Sequence, residues 1–322
     1  MSNWIGNSIV EKSIDKLGRY LQSSPGTYFF LFALLIYLFL GTLEADPDLF
    51  ARIAMGRWLE KFGSFPIKDP FSFTSTKAIW IDHEWLSGVV FYRIVSAFGD
   101  VGLFIFKIIL SLLTIGILNA TVKKSSSRSL SLFLLFIFAN ELSVVWMSTV
   151  RSQIFTYLFI PIFLYLITIH KKFQDKTLLF LSPLIMALWC NLHGGFVVGL
   201  GILGAYSFAK IVLRQSGAVP VFFSFVASIF STLLNPYGFS YWKFMFMALS
   251  MPRVTITEWA GASFLDPAHL IFWIFITISI WQLIKNRKSL PLEGSLLLIV
   301  CAYGAISHIR FSSVFLMMFI IY

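Results

Sequence analysis

Three acidic residues, Glu44, Asp46 and Asp48, lie close together directly after the apolar stretch Thr27–Thr42. Like charges beside a low-dielectric surface raise the pKa of a carboxylate and favour its use as a general base. Asp46 also precedes Pro47, and an acid followed by proline is typical of a helix N-cap. We therefore predict Asp46 and Asp48 as the catalytic residues, with helix capping as the alternative role of Asp46.

A second polar group is formed by Asp82, His83 and Glu84. One histidine with two adjacent acids is weak spacing for a metal site, so we expect these residues to bind substrate, with orientation of their loop as the alternative. The sequence leaves the cofactor unknown. The sequence also leaves open whether Asp48 holds a divalent cation such as Mg²⁺ or Mn²⁺.

Two arginines, Arg151 and Arg310, each lie at an end of an apolar stretch. The planar guanidinium group can hold a phosphate through two parallel hydrogen bonds, so we predict that both arginines bind a lipid phosphate. The alternatives are contact with lipid headgroups or pairing with an acid such as Glu141. Glu141 itself lies inside an apolar stretch, where packing against a neighbouring polar group is slightly favoured over a functional role.

The remaining candidate substrate contacts lie in two turns. Asn191 and His193 precede Gly194-Gly195, and exposed backbone amides at a helix start favour anions. A tight turn that needs glycine is the alternative. Glu258, beside Trp259 and after a long loop that starts at Asn235, could line an acceptor site, and an aromatic belt is the alternative there.

The composition excludes most soluble classes of protein. Of 322 residues, 58% are hydrophobic and only 12% are charged, about half the charged fraction of a soluble domain. One core cannot bury this many apolar side chains, and we therefore predict a membrane protein. We expect no nucleic-acid partner. The only cysteines, Cys190 and Cys301, support neither a disulfide framework nor a zinc site.

The order of apolar stretches predicts an all-α polytopic membrane protein with about ten transmembrane helices. We divide the chain into an interfacial helix over residues 1–26, a first transmembrane helix over 27–42, an outer loop over 43–100 and a bundle of about nine helices over 101–322. The last helix is expected to be cut short at Tyr322. The predicted spans of the bundle are Val101–Thr121, Leu130–Met147, Ile154–His170, Leu178–Cys190, Phe196–Leu213, Val219–Leu234, His269–Ile284 and Leu296–Ile309, followed by the short stretch Phe311–Tyr322.

The charged residues separate when successive connections are assigned to alternate sides. Short basic connections form one set, and by the positive-inside rule this set is cytoplasmic. The other set contains nearly every residue able to do chemistry, so we expect the active site on the outer face of the membrane. The basic set comprises Lys12, Lys16, Arg19, Lys123, Lys124, Arg128, Lys171, Lys172, Lys176, Lys210, Arg214, Lys285, Arg287 and Lys288.

The first outer loop is predicted to contain two amphipathic interface helices. The first spans Asp46–Phe62, with aromatic and apolar residues at i, i+4 steps, and ends at Gly63. The second spans Ile81–Phe98. The residues between them, with Pro66, Asp69-Pro70 and a run of serine and threonine, predict a loop.

The acidic pair and the surface helix that follows it resemble the GT-C superfamily of integral-membrane glycosyltransferases. The relevant stretch is Glu44-Ala45-Asp46-Pro47-Asp48-Leu49-Phe50-Ala51-Arg52-Ile53-Ala54, and it is similar to the mannosyl- and aminoarabinosyl-transferase branches. The continuation Trp80-Ile81-Asp82-His83-Glu84-Trp85-Leu86 resembles uncharacterised bacterial members. Pro47 takes the place where many relatives carry the second acid, and Asp48 follows it.

The resemblance implies transfer of a sugar from a polyprenyl-phosphate donor to an envelope lipid, glycan or protein on the outer face of a bacterial cytoplasmic membrane. Asp46 would accept the proton of the attacking hydroxyl, and Arg151, His193 or Arg310 would stabilise the leaving phosphate. Two other functions stay open: a transporter or flippase of a lipid-linked substrate, and a non-catalytic membrane assembly subunit. A cavity near Arg151 and His193 would favour the enzyme, and a sealed bundle would favour the scaffold.

Overall fold

The computed structural model describes residues 46–74, 79–125, 150–253, 255–266, 269–285 and 290–322. These residues form ten α-helices, two short 3-10 turns and no strand, so the all-helical prediction is confirmed for this part of the chain. The predicted elements over 1–26, 27–42 and 130–147, together with Glu44 and Glu141, lie outside it. The helices are α1 (Pro47–Phe62), α2 (Trp85–Ser125), α3 (Gln153–Phe173), α4 (Thr177–Leu192), α5 (Phe196–Val212), α6 (Ala218–Ser231), α7 (Phe239–Ser250), α8 (Leu270–Lys285), α9 (Leu292–Ser307) and α10 (Ser312–Ile321).

The first helix begins and ends where the sequence predicts. The Asp46 side chain accepts the backbone N–H of Asp48 at 2.8 Å, and Pro47 occupies the first helical position, where its missing N–H costs nothing. Gly63 has a φ of 64°, a left-handed conformation that glycine adopts without strain, and its N–H closes the last turn on Leu59.

The second helix joins two predicted elements. It runs from Trp85 to Ser125 but is broken at Gly99, which has φ 63° and ψ −161°. The break falls between the predicted interface helix and the predicted span. The predicted start at Ile81 is wrong, because the Asp82 side chain accepts the N–H of Glu84 at 3.1 Å and holds a turn before the helix.

The later apolar stretches also form helices, α3 to α6 and α8 to α10, each within a few residues of its prediction. The exception is α7, because the residues after Asn235 were expected to form a loop. Tyr241 and Met245, one turn apart, are buried and attach this helix to the bundle. By length and composition, two stretches of the described chain, Trp85–Val122 and Gln153–Phe173, could cross a bilayer.

Two glycines bring α1 and α2 into close contact. A Cβ added at Gly56 would lie 2.1 Å from the carbonyl oxygen of Gly88, and one at Gly88 would lie 2.5 Å from that of Arg52. No larger side chain fits this crossing without moving a backbone. The contact therefore fixes Arg52 of α1 beside the residues that precede α2.

The two ends of the bundle carry different charged groups. At the end where α3 stops, Lys171 donates to the buried carboxylate of Glu293 at 2.5 Å, and the side chain of Lys210 is buried nearby. At the end where α3 starts, Arg151 pairs with acidic residues of two other segments, Asp46 and Glu258. Lys171 and Arg151 thus lie at opposite ends of one helix, while the two sides predicted for the loops stay a prediction.

Candidate active site

A cavity of about 430 Å³ lies between α1, the residues before α2, the start of α3, the α4–α5 turn and α7. The cavity is lined by both apolar and charged residues, so it suits an amphiphilic ligand with an anionic part. The charged and imidazole-bearing residues that line it are Asp48, Arg52, His83, Glu84, Arg151, His193, Arg253, Glu258 and Arg310, and the apolar residues include Leu49, Phe91, Val197, Val198, Met245, Leu249, Ile256 and Phe311.

Glu258 connects the two arginines that the sequence singles out. Its carboxylate accepts from Arg151 at 3.0 Å and lies 3.3 Å from a guanidinium nitrogen of Arg310. Arg151 also donates to Asp46. Burial alone would lower the pKa of Arg151, but the hydrogen bond and charge of Asp46 and the charge of Glu258 raise it above its usual value. Arg151 is therefore a fixed cation between two carboxylates.

A third arginine, Arg253, faces the cavity beside Trp259. Its guanidinium carbon is 4.0 Å from the centre of the indole ring, and that of Arg310 is 4.6 Å from it. Arg253 donates to the carbonyl oxygens of Ala248 at 2.5 Å and Met251 at 3.3 Å. In the part of the chain that the structure describes, no carboxylate pairs with Arg253. This guanidinium group is therefore available to an anionic ligand.

Glu84 also lines the cavity and lies close to three nitrogen-bearing side chains. Its Oε2 is 3.2 Å from Arg52, and its Oε1 is 3.4 Å from the Nε2 atoms of both His83 and His193. Arg52 also pairs with Asp82. Burial would raise the pKa of Glu84, but His83, His193 and Arg52 together lower it well below its usual value. Glu84 is therefore an ionised acceptor at neutral pH.

His193 is a neutral hydrogen-bond donor. Its Nδ1 accepts the N–H of Gly195 at 3.0 Å and lies 2.6 Å from the hydroxyl of Thr156, so the ring proton must be on Nε2. Burial lowers the pKa of His193 to about 4, although the charge of Glu84 opposes this shift. The expected phosphate contact by His193 would therefore use a neutral N–H, and the Gly195 amide already has a partner.

Three predicted site residues lie behind the cavity wall. Asp46 is 2% exposed, and its two oxygens accept from the Asp48 amide and from Arg151. Asp82, also buried, pairs with Arg52. Asn191 accepts from the indole of Trp85 at 2.7 Å and donates to two backbone carbonyls, so it ties α4 to neighbouring segments. The other predicted site residues line the cavity: Asp48, His83, Glu84, Arg151, His193, Glu258 and Arg310.

Sequence reasoning missed two arginines of the cavity, Arg52 and Arg253. Arg253 carried the same signal that identified Arg151, a cation in a connection assigned to the outer side. Arg52 carried no signal, because its pairing with Asp82 joins residues thirty positions apart.

The residues that the structure describes contain no group of three His, Cys, Asp or Glu side chains able to hold a metal ion. The hydrogen bonds of His193 agree, because its Nε2 carries a proton and has no lone pair for a metal. A cation at Asp48 stays a prediction.

Comparison with known protein families, with curated proteins and with solved structures finds no match. The function is therefore inferred from the cavity itself. Its distinguishing features are one carboxylate, Asp48, that has no ion pair among the described residues, and one guanidinium group, that of Arg253, that has no acidic partner there.

Proposed function

We propose that the protein is a membrane-embedded glycosyltransferase that moves a sugar from a polyprenyl-phosphate donor to an acceptor hydroxyl. The observation that carries this proposal is the cavity, which combines apolar residues with a carboxylate, Asp48, and a guanidinium group, Arg253, that form no ion pair within the described part of the chain. A base, a phosphate contact and a surface for an isoprenoid chain are the three things that such a transfer requires.

The outward faces of the helices support a lipid environment. Phe180, Leu184 and Leu188 repeat along α4 at one-turn spacing and are 70%, 67% and 47% exposed. Exposed apolar side chains in such a row would be unfavourable in water and are typical of a surface that contacts lipid. Similar rows occur on α6 and α8, which argues that most of the bundle lies in the bilayer.

Asp48 is the better placed of the two predicted bases. It is exposed on the cavity wall, whereas both oxygens of Asp46 are already engaged. In the proposed reaction the acceptor oxygen attacks the anomeric carbon and gives its proton to the Asp48 carboxylate. The bond between the anomeric carbon and the phosphate oxygen breaks, and the phosphate leaves with the electron pair, which inverts the configuration.

Arg253 and Arg310 would stabilise the charge that grows on the leaving phosphate, since both guanidinium groups lie against Trp259. Arg151 would not contact the phosphate directly, because it is already held between Asp46 and Glu258. The cavity also favours an enzyme over an assembly subunit, for which a sealed bundle would be expected. A flippase would need charged groups midway along its helices, whereas these groups lie at helix ends.

The proposal is tested by sugar transfer in membranes that contain the protein. Membranes with wild-type or Asp48→Asn protein receive radiolabelled polyprenyl-phosphate esters of glucose, mannose, N-acetylglucosamine or aminoarabinose. We expect one donor to be consumed with wild type and not with Asp48→Asn, with label recovered in an envelope lipid, glycan or protein. If none of the donors is consumed above membranes without the protein, glycosyl transfer from these donors is wrong.

The proposed location is tested separately by cysteine labelling in intact bacterial cells. Cysteines introduced at Ser72 and Lys172 should react with a membrane-impermeant reagent from opposite sides, with Ser72 accessible from outside. Labelling of both positions from one side would contradict the assignment of the active site to the outer face.

A further inference from the structure

A chain of hydrogen bonds runs from the core of the bundle to His193, which lines the cavity next to Glu84. The indole N–H of Trp189 donates to the hydroxyl oxygen of Thr156 at 2.9 Å, and that hydroxyl lies 2.6 Å from Nδ1 of His193. Nε2 of His193 faces Glu84 at 3.4 Å. Thr156 and Trp189 are 3% and 0% exposed and do not line the cavity.

The donors and acceptors along this chain have only one consistent arrangement. Trp189 can only donate, so the Thr156 oxygen accepts from it and the single hydroxyl proton is free to point at His193. Nδ1 of His193 also accepts from Gly195, and both contacts oppose a proton on that nitrogen. The proton of the neutral ring is therefore on Nε2, the nitrogen that lies 3.4 Å from Glu84.

We infer that Thr156 is a positioning residue that keeps His193 as a neutral donor, and that Glu84, held by His193 and Arg52, binds a hydroxyl group of the transferred sugar. This inference rests on the proposed function and specifies its substrate: the group recognised is a polyhydroxylated headgroup, in addition to the phosphate.

The charges in the cavity support this division of the ligand. An ionised carboxylate is an acceptor only, so Glu84 repels a phosphate and attracts hydroxyl donors. Arg253 and Arg310 belong to a different cluster, around Trp259, and attract the phosphate. A sugar phosphate can satisfy both clusters in one orientation, with its hydroxyl groups toward Glu84. A simple phospholipid phosphate can satisfy only the arginines.

Binding of short, water-soluble donor analogues tests the inference without any need for turnover. Citronellyl phosphate is compared with its glucosyl, mannosyl, N-acetylglucosaminyl and aminoarabinosyl esters by calorimetry on the purified protein in detergent. We expect at least one ester to bind about tenfold more tightly than citronellyl phosphate, the size of one hydrogen bond to a charged group. Glu84→Gln should reduce this gain to about threefold or less, and Glu293→Gln, at the other end of the bundle, should leave it unchanged.

The outcomes separate the two proposals. If neither citronellyl phosphate nor any ester binds, the proposed lipid-phosphate donor is wrong. If all bind equally well, or if Glu84→Gln keeps the full gain, the donor proposal stands and the role of Glu84 is wrong.

The role of Thr156 is tested by two variants of similar size. Thr156→Ser keeps the hydroxyl and should keep the sugar-dependent gain, whereas Thr156→Val lacks it and should lose most of the gain. Nitrogen-15 NMR of the histidine rings, with His193 assigned through His193→Gln, gives a second measurement. Wild type and Thr156→Ser should show a proton on Nε2 and no titration of His193 between about pH 5.5 and 8.

In Thr156→Val the pKa of His193 should rise by about one unit, because one hydrogen bond to the neutral ring is lost. If the valine variant folds to the wild-type melting temperature and keeps both the gain and the titration of wild type, Thr156 has no positioning role. A proton on Nδ1 in the wild type would overturn the proposed arrangement directly.

Discussion

The two ends of α3 both bury charged side chains, but they differ in what is left unpaired. At the Lys171 end, the buried carboxylate of Glu293 accepts a hydrogen bond from Lys171. At the Arg151 end, three carboxylates and four guanidinium groups surround open space, and neither Asp48 nor Arg253 forms an ion pair within 4 Å among the described residues. A buried ion pair alone is therefore not evidence of a site; unpaired groups that face a cavity are.

The largest effect that separates the two ends is expected for Asp48→Asn. Asparagine cannot take a proton, so transfer should fall by about 10²–10⁴-fold. The side chain is exposed, so the melting temperature should stay near that of wild type. Both are measured on the same membrane preparation.

Asp46→Asn is the matched comparison for this prediction. It keeps the helix cap, because asparagine caps about as well as aspartate, but it removes the charge that faces Arg151. A stable Asp46→Asn protein without transfer, beside an active Asp48→Asn protein, would assign the base to Asp46 and contradict our choice.

Gly56→Ala should lower both stability and transfer, because it forces the backbones of α1 and α2 apart. The added Cβ would overlap the Gly88 carbonyl, and overpacking of this kind costs about 1–3 kcal/mol of unfolding free energy. Arg52 is displaced with α1, so transfer per folded molecule should fall as well. Gly116→Ala is the control, because a Cβ there meets nothing within 4 Å, and it should be neutral in both thermal unfolding and transfer.

Glu293→Gln, at the Lys171 end of α3, should lower stability but leave transfer unchanged. The charge that faces Lys171 is lost, and stability should fall by about 1–2 kcal/mol, limited by the partial exposure of the lysine. Transfer per folded molecule should equal that of wild type. A loss of transfer without a loss of stability would show that this end also takes part in function.

Arg253→Lys should weaken binding of citronellyl phosphate by about five- to tenfold. Lysine keeps the charge but loses the planar fork and its stacking on Trp259. Lys172→Met, which removes a surface cation at the other end, is the control and should bind as wild type does. Equal affinities for all three proteins would exclude Arg253 as a phosphate contact.

The last prediction concerns the pH dependence of stability. The folded pKa of His193 is about 4, below the unfolded value near 6.5, so the unfolded state binds more protons between these pH values. Stability should therefore fall as the pH decreases from about 6.5 to 4. His193→Gln removes this contribution, and its melting temperature should depend less on pH over the same interval. Equal slopes for the two proteins would contradict the lowered pKa.

Local sequence signals predicted the cavity-forming elements better than the cavity itself. Helix α1 was predicted with its cap, because the signals Asp46, Pro47 and Gly63 lie inside the element they define. Helix α7 was missed because Asn235, Pro236 and Gly238 indicated a turn, and no clear polar face followed. Its buried residues Tyr241 and Met245 are one turn apart, a spacing that could have revealed it.

Pairings between distant segments could not be predicted in the same way. The contacts of Arg151 with Asp46 and Glu258 join residues more than one hundred positions apart, and their choice depends on how the helices pack. The sequence identified all three residues as candidates but assigned Asp46 the proton transfer. Which carboxylate keeps a free oxygen is decided by tertiary structure.

The break at Gly99 also determines how far the chain can reach. A straight helix of 41 residues would be about 60 Å long, twice the thickness of the hydrocarbon core of a bilayer. With the break, residues 100–125 account for about 39 Å, close to the length that a tilted span needs. The helical turns before Gly99, which carry Gly88, can therefore point away from the axis of residues 100–125 and lie beside α1. The break at Gly99 thus allows this part of α2 to contribute to the wall of the cavity.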